Sequence, residues 1–230
     1  MIWPVVPVTY WLVIGLIRLC MRVYLRSWSV EGREHVPASG GAILVSNHLN
    51  NADPCVIPGV LRRRVVTMAK KEMFRWPGLS LLFRFIGAFP VDRKGADLAA
   101  LREAQAVLND GLLLLMFPEG TRSKDRQLHR GFPGSAIIAY RTGAPIVPVA
   151  IWGSEHVKWP WVFVRPLLQP KITVRFGEPF YLPKTERVTS EAAKAGTDEI
   201  MRRIAALLPE EYRGEYRDAV VRPPATAAAE

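Results

Sequence analysis

The chain has 230 residues, of which 49% are hydrophobic and 23% are charged. This composition excludes a disordered chain, and the length fits one α/β domain with small additions better than two full domains. The formal net charge of +10 indicates an anionic partner, such as a lipid surface, a phosphate-bearing substrate or nucleic acid. Nucleic acid fits least well, because zinc-finger spacing and RNA-binding aromatic signatures are absent and the basic residues are spread through the chain.

Residues 1–26 form a hydrophobic and basic segment that we expect to associate with a membrane. Residues 1–17 carry no charge, and Arg18, Arg22 and Arg26 follow at helical spacing. A signal peptide would carry its charges before the apolar run, and a full span needs about 20 apolar residues. The pattern predicts a helix over 10–25 in the membrane interface, with its arginines towards lipid phosphates. A helix that packs on the domain, and a short span, are the alternatives.

Strands and helices alternate through the next part of the chain, which we expect to form one domain over 27–214. Predicted strands cover 41–47, 65–69, 88–91, 112–117, 146–152 and 171–176, and predicted helices cover 74–86, 97–109, 135–141 and 191–208. Gly143 is expected to end the third of these helices. Several strands are apolar on both faces, which predicts an α/β fold whose sheet is covered by helices on two sides. Residues 215–230 are expected to form a disordered tail.

The segment Ser46-Asn-His-Leu-Asn-Asn-Ala-Asp-Pro54 follows directly on a buried strand, where open α/β sheets place their ligand sites. Asp53 and Pro54 have the pattern of a helix N-cap followed by proline, so His48 lies in the preceding turn. The turn can fold the imidazole onto the Asp53 carboxylate, leaving the second ring nitrogen free to accept a proton. Alternatively, Asp53 only caps the helix and His48 is a polar loop residue. Cys55 beside His48 could also be a nucleophile, although its place inside the helix favours burial.

A second polar segment, Phe117-Pro-Glu-Gly-Thr-Arg-Ser123, lies at the end of another apolar strand. Glu119 and Arg122 flank a glycine, which permits the close approach of a ligand, and Arg122 can bind a phosphate with two hydrogen bonds. The alternative is a turn with a local ion pair between Glu119 and Arg122. The sequence contains no GxSxG nucleophile elbow, P-loop, dinucleotide-binding glycine pattern or HExxH zinc motif, which argues against a lipid hydrolase that uses a serine.

These segments resemble the glycerolipid acyltransferase family, whose best-known members are the 1-acylglycerol-3-phosphate acyltransferases. The resemblance covers about 40–180 and rests on four blocks in the family's order. The blocks are Asn47-His48-x4-Asp53, the segment 87–95 around Arg93, the segment 117–123, and Ile-Val-Pro-Val-Ala at 146–150. The resemblance implies an α/β fold with a mixed central sheet covered by helices on both faces.

The family's chemistry implies a role for each matching residue. His48, oriented by Asp53, would be the general base that activates a hydroxyl for direct attack on an acyl thioester. Glu119 would be a third catalytic residue. The expected substrate-binding residues are Lys71, Arg93, Gly120, Thr121 and Arg122. No metal or bound cofactor is implied, since acyl-CoA or acyl-ACP is a co-substrate.

The resemblance also implies a function in phospholipid biosynthesis. The expected reaction moves a fatty acyl group to the sn-2 hydroxyl of 1-acyl-glycerol-3-phosphate and forms phosphatidic acid. Expected partners are a lysophospholipid, the acyl thioester, the membrane surface and acyl carrier protein, without nucleic acid. Two cysteines without a CxxC pair favour the reducing, cytoplasmic face of the cell membrane.

Two alternatives to this function stay open. The first is the same chemistry on another lysophospholipid, a lyso-ornithine lipid or a glycolipid. The family often has Phe-Lys-x-Gly after its second polar block, whereas this chain has Leu-His-Arg-Gly at 128–131, with Arg130 as the nearby cation. This departure bears on the acceptor more than on the reaction. The second alternative is a membrane-binding protein without catalysis.

Overall fold

The computed structural model describes residues 7–24, 27–75, 77–85, 87–92, 97–157, 171–185 and 187–220. The helices are α1 (Pro7–Tyr24), α2 (Asp53–Gly59), α3 (Pro77–Phe85), α4 (Leu98–Asn109), α5 (Gly134–Thr142) and α6 (Ser190–Leu207). The strands are β1 (Ser27–Glu31), β2 (Ala42–Ser46), β3 (Val65–Lys70), β4 (Phe89–Val91), β5 (Leu113–Met116), β6 (Ile146–Trp152) and β7 (Lys171–Phe176). Short 3-10 turns include Arg33–His35, Lys71–Arg75, Gly214–Tyr216 and Asp218–Val220.

All of these strands belong to one seven-stranded sheet in the order β1-β7-β6-β2-β5-β3-β4. The strands from β6 to β4 in this order pair in parallel, β7 pairs antiparallel with β6, and β1 pairs in parallel with β7. Helices α4, α5 and α6 cover one face of the sheet, while α1 and α2 cover the other. The predicted mixed sheet with helices on both faces is therefore confirmed.

The central strands were predictable because every residue of β2 and β5 is buried. Strand β1 was not predicted, since it lies at the edge of the sheet and its residues are only partly buried. The helix predicted over 74–86 is instead a 3-10 turn followed by α3, because a proline fits the first helical position and ends what precedes it. Gly143 ends α5 in the left-handed conformation, with φ of 65°, as predicted.

The C-terminal part of the chain is structured further than expected. The predicted tail over 215–230 begins within the 3-10 turn Gly214–Tyr216, and a further turn follows at Asp218–Val220. The ring of Tyr216 is buried in the core cluster beside α6. The tail is thus anchored as far as 220, while 221–230 lies outside the described residues.

Helix α1 packs on the domain through one face. Its inner side chains are Tyr10, Ile14, Ile17 and Met21. The Tyr10 hydroxyl accepts a hydrogen bond from the backbone N–H of Val65 at 3.0 Å. Arg18 donates to the backbone carbonyls of Gly59 and Leu61, at 2.8 Å and 2.6 Å. The expectation that the arginines point towards lipid phosphates is therefore wrong for Arg18, which is bound to the end of α2.

The opposite face of α1 exposes a stripe of apolar side chains. We call it the outer stripe; each member is more than half exposed, and they are Val8, Leu12, Leu16, Leu19 and Val23. Spacings of three and four residues place them on one side of the helix. Within the described ranges, no helix is long and apolar enough to cross a membrane.

Candidate active site

The chain leaves β2 at a position fixed by Asn47. The Asn47 side-chain amide donates to the carbonyl of Ile151 on β6, and its oxygen accepts the N–H of Ile151, both at 2.8 Å. This reciprocal pair extends the β2–β6 pairing by one residue and sets the start of the turn that follows. In the sequence, Asn47 belongs to the block Asn47-His48-x4-Asp53, but no role was predicted for it. No local signal could identify a partner 104 positions away.

His48 and Asp53 form the expected hydrogen-bonded pair, with 2.9 Å between Nδ1 and Oδ2. The same carboxylate oxygen accepts the backbone N–H groups of Leu49 and Asn50, each at 2.7 Å. Because an ionised carboxylate only accepts hydrogen bonds, we assign the imidazole proton to Nδ1. The lone pair is then on Nε2, which has no hydrogen-bond partner in the described part of the chain.

Asp53 is not the N-cap of α2, contrary to the sequence prediction. Ala52 occupies the cap position, and Asp53 is the first helical residue, followed by Pro54. The fully buried Asp53 carboxylate points back to the turn before α2, where His48 Nδ1 and the N–H groups of Leu49 and Asn50 donate to it. The residue therefore orients His48 instead of closing the helix.

The His48 imidazole is held by stacking as well as by its hydrogen bond. It packs against the Phe117 ring, with 4.2 Å between centroids and 27° between planes. The His48 side chain is 14% exposed, so part of the ring stays accessible. A hydroxyl that reached Nε2 would meet a nitrogen able to accept its proton.

Glu119 lies behind the main chain of His48. One carboxylate oxygen accepts the N–H of His48 at 3.0 Å, and the other accepts the N–H of His129 at 3.2 Å. Glu119 is 4% exposed. Burial raises its pKa to about 7, although the two backbone N–H groups act in the opposite direction. This placement suits a residue that positions His48; the predicted catalytic role stays a prediction.

The residues after Glu119 form a turn that returns to His48. Gly120 adopts a φ of 65°, which favours glycine, and its N–H bonds the carbonyl of Phe117 at 3.0 Å. The N–H of Ser123 then donates to the carbonyl of His48 at 2.8 Å. Thr121 and Arg122 are exposed at the tip of this turn. Among the described residues, no carboxylate pairs with the Arg122 guanidinium, so the alternative of a local Glu–Arg ion pair does not hold.

The other two predicted cations lie along the same edge of the sheet or outside the described residues. Lys71 directly follows β3, whose carboxyl end lies at the same edge as that of β2. Its Nζ is 3.6 Å from the Asp92 carboxylate, and both side chains are exposed. Within the described residues, Lys71 forms no hydrogen bond or ion pair with the His48 cluster. Arg93 lies outside the described residues.

An apolar cavity of about 530 Å³ adjoins the His48 turn. It lies between α4, α5 and the ends of β3 and β5, and residues that line it include Met68, Leu101, Met116, Phe132 and Ile138. Phe117, which stacks on His48, and Gly120 are also part of its wall. Its volume falls within the range of about 300–1,000 Å³ that is usual for ligand sites. The cavity could therefore hold a long apolar group against Phe117, the ring on which His48 stacks.

Cys55 does not fit the role of a nucleophile. Burial, and then the nearby Asp53 carboxylate, raises the pKa of its thiol to about 11. The thiol is therefore protonated near neutral pH, whereas the thiolate is the reactive form. The alternative of a Cys–His pair finds no support.

The family model described as Acyltransferase matches residues 27–152. A 1-acyl-sn-glycerol-3-phosphate acyltransferase of Bacillus subtilis is 30% identical over 169 residues, covering 70% of this chain and 80% of the relative. One of Cocos nucifera is 33% identical over 165 residues, and this chain spans about half of that relative, 52% of its length. Among solved structures, the 1-acyl-sn-glycerophosphate (LPA) acyltransferase PlsC of Thermotoga maritima is similar, with a TM-score of 0.61 and 27% identity over 83% of this chain and 78% of that one.

Proposed function

The chain belongs to the acyltransferase family, and on that premise we propose that it forms phosphatidic acid from a lysophosphatidic acid and an acyl thioester. The acyl group would pass from acyl-CoA or acyl-ACP to the sn-2 hydroxyl of 1-acyl-glycerol-3-phosphate, the acceptor named for the relatives. The observation that carries the proposal is the His48–Asp53 pair, whose imidazole stacks on Phe117, a residue that also lines the apolar cavity.

The proposed reaction begins with proton transfer to His48. Nε2 takes the proton of the acceptor hydroxyl while its oxygen attacks the thioester carbonyl carbon. Asp53 stabilises the imidazolium that forms, because its charge lies 2.9 Å from Nδ1. The carbon–sulfur bond then breaks, and the leaving thiolate takes the proton back from Nε2. The net change is one ester bond formed, one thioester bond broken and one thiol released, so the reaction balances without an oxidant or a reductant.

The surrounding residues suit the two ends of a lysophosphatidic acid. Arg122 is exposed and unpaired in the described structure, and its turn is bonded to the His48 carbonyl through Ser123. A guanidinium there can hold the acceptor phosphate with two hydrogen bonds. We assign supporting contacts to Gly120, Thr121, Arg93 and Lys71. The apolar cavity would hold an acyl chain.

The decisive experiment is an acyl-transfer assay on purified protein with oleoyl-CoA and lysophosphatidic acid. We expect thiol release together with phosphatidic acid, and a loss on the order of 10²–10⁴ in rate for His48→Ala. His156→Ala is the matched control, since His156 is half-exposed and, among the described residues, pairs only with the neighbouring Glu155. Its rate should equal that of the wild type.

The other outcomes separate the mechanism from the substrate. Transfer to other lysolipids, but not to lysophosphatidic acid, would keep the role of His48 and replace the acceptor. Donation only from acyl-ACP would specify the donor. Equal rates in His48→Ala and wild type would refute the assignment of the base. Silence with all donors and acceptors would favour the non-catalytic membrane protein.

We further propose that the outer stripe of α1 attaches the enzyme to a membrane surface, on the cytoplasmic side. An exposed apolar stripe on a helix that is docked by its other face is the pattern of interfacial binding. Both cysteines are free thiols, which suits the reducing side. The double variant Leu12→Glu with Leu16→Glu should abolish flotation with phosphatidylcholine vesicles. Tyr181→Glu, which changes an exposed apolar side chain outside α1, should not. Unchanged flotation of the double variant would refute the attachment.

A further inference from the structure

A second, basic groove lies between α1, β1 and the end of α2. It has a volume of about 250 Å³, and its walls are Met21, Trp28, Val30, Gly59, Val60 and the four arginines Arg18, Arg22, Arg33 and Arg62. Among the residues that the structure describes, no carboxylate lines it. Asp53 begins α2 and Gly59 ends it, so the groove and the His48 cluster lie at opposite ends of a helix about 10 Å long. The groove is therefore distinct from the candidate active site.

One of the four arginines, Arg18, covers the partial negative charge at the end of α2, which would otherwise repel an anion. The last carbonyls of a helix carry partial negative charge. Arg18 donates to the carbonyls of Gly59 and Leu61, so its guanidinium covers the end of α2. The carboxylate of Glu31 on β1 is also occupied, at 2.6 Å from Arg175.

The other three arginines are available to a ligand. Arg22, Arg33 and Arg62 are exposed, and within the described ranges none of them forms an ion pair or a side-chain hydrogen bond. They come from three separate elements: α1, the turn after β1 and the bend after α2. Like charges gathered around one groove repel each other, and a bound anion relieves this repulsion. Guanidinium groups favour phosphate because they can form two parallel hydrogen bonds to it.

The position and size of the groove favour a lipid headgroup over a whole small molecule. Its volume lies below the range of about 300–1,000 Å³ that is usual for sites holding a complete ligand. Arg22 directly precedes Val23 and follows Leu19 by three residues, so it borders the outer stripe. The apolar walls provided by Met21 and Trp28 suit the glycerol and first methylenes of a lipid.

We propose that this groove binds the phosphate headgroup of an anionic membrane lipid. The proposal rests on the membrane attachment proposed for α1, to which it adds a preference for negatively charged lipid. Guanidinium groups at the rim of the stripe would meet the phosphates of a bilayer as the stripe enters it.

The test compares binding to phosphatidylcholine vesicles with binding to vesicles that also contain phosphatidylglycerol. The groove variant is Arg33→Glu with Arg62→Glu, which leaves α1 and its stripe intact. The matched control is Arg102→Glu with Arg187→Glu, two exposed arginines near α4 and α6 on the other face of the sheet. It changes the net charge equally. Thermal unfolding of each variant, in the same buffer, establishes that it is folded.

A cation held near an anionic membrane strengthens binding roughly fivefold. The groove variant should therefore need roughly tenfold or more lipid than the control for half-maximal binding to the phosphatidylglycerol vesicles. Its binding to phosphatidylcholine alone should equal that of the wild type. Acyl transfer in detergent micelles should also be unchanged, since Arg33 and Arg62 lie away from His48.

Three results would overturn the proposal. If the groove variant and the control lose the same amount of binding to phosphatidylglycerol vesicles, the effect is one of net charge. If both keep the binding of the wild type, the groove has no role in it. The third result would identify inorganic phosphate as the ligand: phosphate would raise the melting temperature of the wild type but not of the groove variant, while both proteins kept the same preference for phosphatidylglycerol. A wild type that shows no acyl transfer but a groove-dependent vesicle preference would refute the proposed reaction and leave the groove proposal standing.

Discussion

Glu119 is expected to make the protein less stable as the pH rises. Burial raises the pKa of its carboxyl from the ordinary value of 4.5 to about 7, against the effect of two backbone N–H groups. When the folded pKa exceeds the unfolded one, the native state binds the extra proton. This stabilisation is complete below about pH 4.5 and is lost as the pH rises through about 7. At about 1.4 kcal/mol per pKa unit, the loss is about 3 kcal/mol in the free energy of unfolding.

Glu119→Gln removes this titration and keeps the shape of the side chain. The carboxamide has one oxygen, so the N–H of either His48 or His129 loses its acceptor, which costs about 1–3 kcal/mol at every pH. Urea unfolding at about pH 5 and about pH 8.5 is the assay. Between these values the wild type should lose about 3 kcal/mol more than the variant. Other groups that titrate in this interval are present in both proteins, so the difference reports on Glu119.

Equal pH slopes for the two proteins would refute this reasoning. They would mean that Glu119 stays ionised throughout, because its two N–H donors outweigh its burial. Activity provides a separate readout of its role. If the carboxylate positions the main chain of His48, Glu119→Gln should lower kcat with little change in the KM for lysophosphatidic acid. A change confined to KM would instead place the carboxylate at the bound substrate.

Three other substitutions test the site and its support. Asp53→Asn keeps the shape but removes the charge facing the imidazolium, so kcat measured by thiol release should fall by up to about 10⁴-fold; a loss below about tenfold would contradict the pairing. Gly120→Ala forces a residue with a side chain to a φ of 65° and places its Cβ 2.9 Å from the Phe132 ring, so urea unfolding should show a loss of about 1–2 kcal/mol. Tyr10→Phe leaves the buried N–H of Val65 without its acceptor, and the free energy of unfolding should fall by about 1–3 kcal/mol; an unchanged value would mean that α1 docks without this bond.

The parts of the fold that could be predicted from sequence are those where one local pattern has one physical solution. Strands β2 and β5 consist of apolar residues that are buried on both faces, and a helix-covered sheet is what accommodates such strands. The His48–Asp53 pair was predictable because both residues lie in one turn, five positions apart. Strand β1 was not predictable, since a short, half-buried edge strand has no distinctive pattern.

The contacts that hold the His48–Asp53 pair in place are ones that a linear pattern does not contain. The Glu119 carboxylate meets the N–H of His48, 71 positions away, and its alternative partner, Arg122, is three positions along the chain. Proximity in the sequence favours an ion pair between Glu119 and Arg122. Burial of the carboxylate among backbone N–H donors instead favours the hydrogen bond to the distant His48. Asn47 and Ile151 show the same limit, because a side-chain amide that replaces a backbone pairing leaves no periodic signal.

Helix α1 shows why periodicity alone left its orientation open. Apolar residues occur on two opposite faces, so a helical pattern is satisfied whichever face is turned inward. Gly59 favours the face of α1 that carries Met21 and Ile17, since an added Cβ there would come within 3.1 Å of the Met21 sulfur and 3.3 Å of Ile17. The missing side chain lets this face approach α2 closely, and Arg18 then reaches the carbonyls at the helix end. Packing on the domain and binding a membrane are therefore not competing roles for α1, because the face that is docked leaves the outer stripe, with Arg22 at its border, directed to the solvent.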